Sequence, residues 1–460
     1  MKIAVLSGSP KGNRSITLKY VEYLQKQFPQ VEFCVHHVSQ NIKQLEKSHV
    51  EMDKVMDEVR AADGVLWAFP VYVYLVPSGL KRFVELINEG GYGNALAGKY
   101  TAVMSTSIHF FDNLAHTYMH AVIDDLDMKY VGYHSAAMND LLEERGQQEV
   151  RLFMGRFVNH IEKQFSVYKS FKPINKSNFI YESQAASHQT DLQGKRLLLI
   201  TDASEGSQAA RMQQRFLDSL TGGEIEIIDL NQIKMIGGCV GCMKCAFDNE
   251  CAYEDKDDIK AIYNEKIPQA DIVIYVGTIV DRFLSATWKR FIDRRFMKTH
   301  QPLLKGKQVG SLIAGSLNEV SNLRMFLEAE AQVGGGNLAG IVTDECGNSA
   351  LLDTLISQFA ENVAEMAKDG YVSSKTFLGV GGMKIFRDEV WGKLRFVFQG
   401  DHRYYKKHGV YDFPQKDWKT RIRNLFMMAL LKIPKIRKET RNDMINLMLK
   451  PFQTFVDGLR

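Results

Sequence analysis

Four of the six cysteines in this chain of 460 residues lie within thirteen positions, and no other run of residues has so direct a chemical meaning. They are Cys239, Cys242, Cys245 and Cys251, spaced C-x2-C-x2-C-x5-C. Such spacing lets one loop wrap several thiolates around a single soft centre, and Gly237, Gly238 and Gly241 give its backbone the freedom to do so. The residues alone leave three alternatives open: a [4Fe–4S] cluster, free or redox-active thiols, and a zinc site.

A second candidate site lies near the start of the chain, in the glycine- and hydroxyl-rich turn at 7–17. The turn follows an apolar run and precedes a segment with apolar residues at helical spacing, which predicts strand, turn and amphipathic helix. Backbone N–H groups, hydroxyls and a helix N-terminus meet at such a turn and suit a phosphate. The side chains of this predicted phosphate site are Ser9, Lys11, Asn13, Arg14, Ser15 and Thr17. An ordinary strand-to-helix loop is the alternative.

The elements that position these residues are strands alternating with helices over residues 1–165, a pattern that predicts a doubly wound parallel sheet. Ligands of such sheets bind outside the carboxyl ends of the strands. Three loops rich in hydroxyl, glycine and aromatic residues are expected at those ends, at 7–17, 69–78 and 105–113.

The order of the motifs in these loops resembles the flavodoxin-like NAD(P)H-dependent FMN reductases. Gly8-Ser9-Pro10 comes first, and Pro70-Val71-Tyr72 then precedes a Leu80-Lys81-Arg82-Phe83 helix. The resemblance implies FMN, with NAD(P)H as a transient donor. It places Ser9, Asn13, Ser15 and Thr17 on the phosphate, Pro70, Val71 and Tyr72 along the ring, and Ser105 and Ser107 near its polar edge. Tyr74 and His109 are further candidates for cofactor contact, and His109 and Tyr72 are candidates for catalysis; ordinary structural roles are the alternative.

The second half of the chain repeats the first, so two tandem copies are expected. Leu80–Glu85 returns as Trp288–Asp293 at an offset of 208, whereas the opening loops align at an offset of 194. The second copy therefore carries extra residues before this helix, and the cysteine run accounts for them. The predicted fold class is α/β, with doubly wound flavodoxin-like domains at 1–165 and 194–370, a linker at 166–193 and a basic helical extension at 371–460.

The opening loop of the second copy differs in the residues that matter for an anion. Gly8 becomes Asp202 and Lys11 becomes Glu205, and two serine hydroxyls are lost. Each new charge would repel a phosphate by about 4 kcal/mol at about 4 Å and an effective dielectric near 20. We therefore expect that the second copy has lost FMN or holds it differently.

The compact cysteine run resembles the iron–sulfur flavoproteins, a branch of the same reductase superfamily. That resemblance implies a [4Fe–4S] cluster that exchanges electrons with FMN, although relatives can keep a Cys-x2-Cys loop as free thiols. Flavodoxin-like reductases commonly pair as dimers. A tandem chain could build that arrangement within itself, with FMN in the first copy and the cluster in the second; a homodimer of the whole chain also stays open.

Charge is distributed unevenly along the chain, whose net charge is +4. Residues 371–460 carry 19 Lys and Arg against 8 Asp and Glu, so the rest of the chain is mildly acidic. Apolar residues in this basic region repeat at helical spacing up to Pro434, and a second helix is expected before Pro451. The extension is interpreted as a helical cap on the two domains, with a peripheral membrane contact as the alternative. No motif supports nucleic-acid binding.

Together these features predict an FMN-dependent oxidoreductase. Electrons would pass from NAD(P)H or a ferredoxin-type donor to a small acceptor such as a quinone. The rival hypotheses are a non-enzymatic electron carrier and a thiol-based sensor. No signal peptide pattern and no long apolar run is present, so a cytoplasmic location is expected, peripheral to the inner membrane face if the extension binds lipid.

Overall fold

The computed structural model describes residues 1–175, 177–186 and 188–459. Lys176 and Ser187 of the predicted linker, and Arg460 at the end of the predicted extension, lie outside the described residues. The chain divides into two units, Met1–Tyr404 and Tyr405–Arg460.

The first sheet is built from five parallel strands in the order β2-β1-β3-β4-β5. The strands are β1 (Lys2–Ser7), β2 (Glu32–His36), β3 (Gly64–Pro70), β4 (Tyr100–Ser107) and β5 (Lys129–Ala137). Helices cover both faces: α1 (Ile16–Gln27), α2 (Ile42–Lys47), α3 (His49–Ala61), α4 (Ser78–Glu89), α5 (Asp112–Asp125) and α6 (Glu144–Lys163). Strands β1, β3 and β4 are buried almost throughout because helices cover both faces of the sheet.

The second sheet repeats this architecture, in the order β12-β11-β10-β7-β9. Its strands are β7 (Arg196–Thr201), β9 (Glu224–Asp229), β10 (Ile272–Thr278), β11 (Gln308–Ala314) and β12 (Asn337–Thr343), and a separate short pair joins β6 (Thr190–Asp191) to β8 (Leu220–Thr221). Its helices are α7 (Gln208–Asp218), α8 (Cys245–Asp248), α9 (Ile259–Ala261), α10 (Ile267–Gln269), α11 (Ala286–Arg294), α12 (Ser321–Val333) and α13 (Ser349–Asp369).

Both sheets have the strand order 2-1-3-4-5 of flavodoxin-like folds, so the predicted fold class is confirmed. Strands β1 and β7 begin 194 positions apart, and α4 and α11 begin 208 positions apart, as the repeat predicts. The extra residues of the second copy lie between β9 and β10, which is where the cysteine run is found.

Helices α4 and α11 pack against each other around reciprocal contacts of two buried lysines. Lys81 Nζ donates to the Val280 carbonyl at 2.9 Å, and Lys289 Nζ donates to the Tyr72 carbonyl at 2.8 Å. Val280 and Tyr72 occupy matching positions at the offset of 208. Reciprocal contacts of this kind define an isologous interface, so the two copies meet as the subunits of a twofold dimer do.

The acidic residues of the same two helices also make reciprocal contacts. Asp293 Oδ2 accepts a hydrogen bond from the Ser78 N–H at 2.7 Å, and Glu85 Oε1 accepts one from the Ala286 N–H at 2.6 Å. Each carboxylate thus lies at the N-terminus of the other helix, where backbone N–H groups lack intrahelical partners and negative charge is favourable.

Apolar packing joins the copies further, because one core cluster contains buried side chains of both, including Trp67 and Trp288. Each sheet has a second core on its other face. Burial of this continuous apolar surface is the main stabilising term for the tandem arrangement.

Helix α14 (Phe377–Trp391), the first of the C-terminal region, packs against α12, and α15 (Gln399–Lys407) follows. The unit Tyr405–Arg460 contains α16 (Trp418–Leu430) and α17 (Pro434–Asp457). Pro434 separates the two helices as predicted, since proline fits the first turn of a helix. The prediction that the second helix ends before Pro451 is wrong: α17 continues through this proline. In the described part of the chain, no helix is both long and apolar enough to cross a membrane.

Candidate functional site

A cavity of about 290 Å³ lies at the carboxyl ends of the first sheet's strands. The first copy contributes Ser9, Lys11, Ser15, Ile16, Thr17, Pro70, Val71, Tyr72, Val73, Tyr74, Thr106, Ser107, Ile108, Phe110 and Met138. The second copy contributes Cys239, Gly241, Met243, Asp293, Arg295, Phe296, Thr299, His300 and Val333, and the C-terminal region contributes Phe386, Leu394, Val397 and Phe398. All three predicted loops therefore reach one cavity, and the cysteine loop reaches it too.

The hydroxyl-rich end of the cavity lies at the N-terminus of α1. Ser15 is the N-cap of this helix, but its side chain makes no capping hydrogen bond among the described residues. The N–H groups of a first turn have no partner within the helix, so they and the hydroxyls of Ser9, Ser15 and Thr17 can receive an anion. The Lys11 side chain adds positive charge at the same place.

Asn13 and Arg14 lie in a short helical turn on the exposed side of this loop, and neither is among the described lining residues. Gly12 turns the chain there with a φ of +53°, and a Cβ on it would lie 2.1 Å from Gln40 Oε1. The phosphate roles of Asn13 and Arg14 stay predictions.

The loop after β3 forms an aromatic wall. Pro70, Val71 and Tyr72, which are predicted to lie along the ring, line the cavity, and so does Tyr74; their roles in binding stay predictions. The Tyr72 hydroxyl is buried without a hydrogen-bond partner among the described residues, and burial raises the pKa of this phenol. Because an unpaired buried hydroxyl is costly, it marks a position where a ligand's polar atom would be stabilised.

The backbone of this loop is strained, since Val73 has a φ of 40° and Tyr74 a φ of 71°. Bulky side chains rarely adopt such values, and they persist where the surrounding structure enforces them, often at functional sites. Asp281 and Arg282 adopt the same conformation in the second copy, which shows that the fold imposes this loop shape in both copies.

The loop after β4 places its predicted residues differently. Ser107 lines the cavity, but Ser105 is not among the described lining residues: its Oγ lies 2.9 Å from His116 Nε2. His109 is exposed beside the cavity, and its Nδ1 donates to Asp112 Oδ2 at 2.9 Å. This hydrogen bond raises the pKa of His109. The structure therefore gives Ser105 and His109 internal partners, and their predicted roles stay untested.

Several residues that line the cavity are not among those predicted from the sequence. Thr106 lies between two predicted serines, and its Oγ1 is 2.6 Å from Thr17 Oγ1. Its place in a hydroxyl-rich loop could have signalled it. Arg295 and His300 come from the segment after α11 and Phe386 from α14, and nothing in their local sequence indicates that they approach the first copy.

Residues 386–401, which belong to the first unit, are held beside the cavity through Asp401. Its buried carboxylate accepts hydrogen bonds from the Thr299 hydroxyl and from His300 Nδ1, the latter at 2.7 Å. The His300 ring stacks on Phe386 at 3.9 Å between centroids, and Phe386 lies 4.2 Å from Phe110. Residues far apart in sequence thus close one side of the cavity with aromatic surface.

The four cysteines line a smaller cavity of about 20 Å³, whose lining shares Cys239 with the large one. All four cysteines of the predicted loop therefore border one cavity. Burial raises the pKa of the Cys239 thiol to about 12, and it also raises the pKa of Cys245. Across the described residues, no three His, Cys, Asp or Glu side chains converge on a position that fits one metal ion.

Gly241 brings the cysteine loop against the first copy. Its φ is +64°, and a Cβ on it would lie 1.9 Å from the Tyr72 hydroxyl and 2.5 Å from Lys11 Cε. Only glycine fits this close approach. The cysteine loop consequently touches both the aromatic wall and the basic end of the cavity.

The corresponding loop of the second copy is filled by its own side chains. Asp202, which replaces Gly8, accepts hydrogen bonds from the Ser285 hydroxyl and from Trp288 Nε1, the latter at 2.9 Å. Ser207 caps α7 by accepting from the Ala210 N–H at 3.2 Å. The carboxylate that the sequence predicts to repel phosphate is thus a structural hydrogen-bond acceptor.

The linker also covers this second loop. Gln208, at the start of α7, accepts from the Tyr181 N–H at 2.8 Å and donates to the Phe179 carbonyl at 2.9 Å. Tyr181 is fully buried. A ligand at the N-terminus of α7 would therefore compete with linker backbone, whereas the N-terminus of α1 opens into the cavity.

A 2-1-3-4-5 parallel sheet with hydroxyls at a helix N-terminus, beside an aromatic cavity, defines a flavodoxin-like protein with a nucleotide-type cofactor site. Sequence comparison identifies the particular family. The profile of the NADPH-dependent FMN reductases matches residues 1–140 and 195–339. The chain belongs to this family, carries two tandem copies of its domain and is an FMN-containing oxidoreductase. The resemblance inferred from the loop motifs is confirmed.

Each of the relatives described below aligns with about one of the two copies in this chain. An iron–sulfur flavoprotein from Archaeoglobus fulgidus is 30% identical over 177 residues, which is 35% of this chain and 76% of the relative. Among solved structures, FerB, a flavoenzyme NAD(P)H:(acceptor) oxidoreductase from Paracoccus denitrificans, shares 22% identity. It covers 35% of this chain and 97% of its own, with a TM-score of 0.29. The NADH:FMN oxidoreductase EMOB shares 21% identity over 37% of this chain and 92% of its own, with a TM-score of 0.30.

Proposed function

We propose that the first copy holds FMN, that NAD(P)H or a ferredoxin-type protein donates electrons, and that a small planar acceptor such as a quinone receives them. The observation that carries this proposal is the single cavity shared by the first copy's three loops and the second copy's cysteine loop. One copy would bind the flavin, and the other would complete its surroundings.

The residues of the first copy suit FMN. The hydroxyls of Ser9, Ser15 and Thr17 would hold the phosphate at the N-terminus of α1, with Lys11 balancing its charge. The Tyr72 hydroxyl would donate its unused hydrogen bond to a polar atom of the ligand. When bound, FMN supplies conversion between hydride and single-electron transfer.

The cysteine loop is proposed as the site of a [4Fe–4S] cluster. Cys239, Cys242, Cys245 and Cys251 would be its ligands, and a cluster there would supply one-electron transfer. Two observations support this: the four thiols line one cavity, and their loop touches Tyr72 and Lys11. The name of the Archaeoglobus relative agrees with it. Since the thiols do not converge on an ion in the described residues, cluster binding would require the loop to tighten.

The acceptor class follows from the cavity's aromatic side. Phe110, Phe386 and Phe398 line it, and flat apolar walls favour a planar, weakly polar molecule. These side chains would also exclude water from the reacting atoms, which strengthens electrostatic interactions there.

Metal and flavin analysis of protein purified without oxygen tests both cofactors. The proposal expects one FMN and four iron atoms per chain. Two FMN and no iron per chain would contradict both parts of the proposal. One FMN without iron would support the flavin assignment and reject the cluster. Steady-state oxidation of NADH or NADPH with a small quinone then tests the electron donor. Reduction by a protein donor alone would point to the electron-carrier alternative.

A matched pair of serines tests which copy binds FMN. Ser15→Ala removes a hydroxyl from the proposed phosphate site and should weaken FMN binding by about 10- to 100-fold, because a hydrogen bond to a charged group contributes about 1.5–3 kcal/mol. Ser207→Ala changes the N-cap of α7, the helix of the second copy that corresponds to α1. It should cost about 1 kcal/mol of stability through loss of the cap and leave FMN affinity unchanged. Titration of flavin fluorescence measures both; equal effects of the two variants would reject the assignment.

A further inference from the structure

The unit Tyr405–Arg460 exposes apolar side chains along two helices. Trp418, Ile422 and Leu425 of α16, and Ile445, Met448 and Phe452 of α17, are each 64–72% exposed. Within these two helices, whose residues are all described, no side chain is buried. In each helix the three residues are spaced three or four positions apart, so they share one face.

The same unit is strongly basic. Residues 405–460 contain 13 Lys and Arg against 5 Asp and Glu, a net charge of +8. Exposed basic residues lie in the same helices as the apolar faces, for example Arg423 in α16 and Lys435 and Lys438 in α17. Helices that combine exposed apolar side chains with an excess of basic residues are typical of segments that bind a membrane surface.

We infer that Tyr405–Arg460 binds the surface of a bilayer that contains anionic lipids. The apolar faces would enter the boundary between headgroups and acyl chains, and the basic residues would contact anionic headgroups. A second copy of this unit fits less well, because it would bring a charge of +8 against +8. Neither described helix is apolar enough to span the bilayer, so the contact is interfacial.

Vesicle sedimentation of the full-length protein tests the inference. Vesicles of phosphatidylcholine are compared with vesicles that also contain phosphatidylglycerol, at low and high salt. The protein should sediment with the anionic vesicles at least tenfold more strongly than with the neutral ones, and high salt should reduce the binding. This readout needs neither flavin nor turnover, so it is independent of the proposed function.

Two sets of variants separate the apolar and ionic contributions. Lys435→Gln with Lys438→Gln should lower the partition coefficient roughly fivefold per lysine. Phe455 is 69% exposed and lies three positions after Phe452 on α17. Phe452→Asn with Phe455→Asn should abolish most of the remaining binding. Val50→Asn with Leu152→Asn, which changes two exposed apolar side chains of the first copy, is the matched control and should have no effect. Retained circular dichroism excludes misfolding.

Three outcomes would overturn the inference. Equal sedimentation with neutral and anionic vesicles would remove the role of charge. Loss of binding in the Val50 and Leu152 control would place the contact elsewhere. A stable dimer that the Phe452 and Phe455 variant dissociates would identify the apolar faces as an interface between copies instead.

Discussion

Replacing Asp293 by alanine would break a fully buried ion pair within α11 that lies at the interface between the two copies. Its carboxylate pairs with Lys289 and accepts the Ser78 N–H at 2.7 Å, and both charged side chains are fully buried. Burial raises the pKa of Asp293 and lowers the pKa of Lys289, while the attraction between the two groups opposes both shifts. Without the carboxylate, Lys289 keeps the Tyr72 carbonyl as its partner. Removing one member of a buried pair costs about 3–5 kcal/mol.

The twofold relation supplies two matched comparisons. Glu85→Ala removes the equivalent carboxylate, but Lys81 keeps the Val280 carbonyl at 2.9 Å and gains support from Asp281 at 3.9 Å. We therefore expect a smaller loss of about 2 kcal/mol. Glu149→Ala breaks an exposed pair with Arg145 at the same spacing and should cost at most about 0.5 kcal/mol.

Thermal unfolding of the flavin-free protein measures the relative loss of stability in the three variants. For cooperative unfolding of Met1–Tyr404, an entropy of about 2.1 cal/mol/K per residue gives about 0.85 kcal/mol/K for the unit. Asp293→Ala should then lower Tm by about 5 °C, Glu85→Ala by about 2 °C and Glu149→Ala by less than about 1 °C. The double variant Lys289→Met with Asp293→Leu should recover most of the loss, since apolar replacement of a buried pair is often neutral. A Tm of Asp293→Ala equal to that of Glu149→Ala would refute the reasoning.

Two further predictions concern the site and its support. Gly241→Ala should weaken FMN binding, because the new Cβ would collide with the Tyr72 hydroxyl and Lys11; flavin titration measures it. Gly347→Ala also replaces a glycine of positive φ, but no atom lies within 4 Å of the new Cβ. It should therefore cost about 1 kcal/mol of stability and leave FMN affinity intact. Equal FMN affinity of the two variants would contradict this prediction. Burial lowers the pKa of His116 to about 4, below the value of about 6.5 that it has in the unfolded chain. The stabilisation from neutral His116 is therefore complete above pH 6.5 and is lost as the pH falls toward 4. Between pH 8 and pH 5 the free energy of unfolding should fall by about 2 kcal/mol through this group. His116→Asn should remove that dependence, whereas substitution of the exposed His49 by Asn should leave it unchanged. Unfolding midpoints at the two pH values check this, and unchanged pH dependence in His116→Asn would contradict it.

Much of the fold and part of the site could be predicted from local sequence. Alternating strand and helix patterns predict two doubly wound sheets, because burial on both faces requires apolar strands and amphipathic helices. The repeated Lys-Arg-Phe helix identifies the second copy, and its lysines and acidic residues became the reciprocal contacts of α4 and α11. The cysteine spacing and the loop at 7–17 are short-range features, so local sequence alone identifies them as candidate sites.

Only the tertiary structure decides which segments share the cavity. Gly241 meets Tyr72 and Lys11 across more than 160 positions of sequence, because the twofold packing of α4 on α11 turns the second copy's insert toward the first copy's strand ends. His300, which pairs with Asp401 and stacks on Phe386, lines the same cavity. Ser105 Oγ lies 2.9 Å from His116 Nε2. Helix α17 continues through Pro451, although the local pattern predicts a helix that ends before it. Sequence periodicity encodes which face of an element is buried, whereas the relative placement of distant faces depends on the packing of whole helices and sheets.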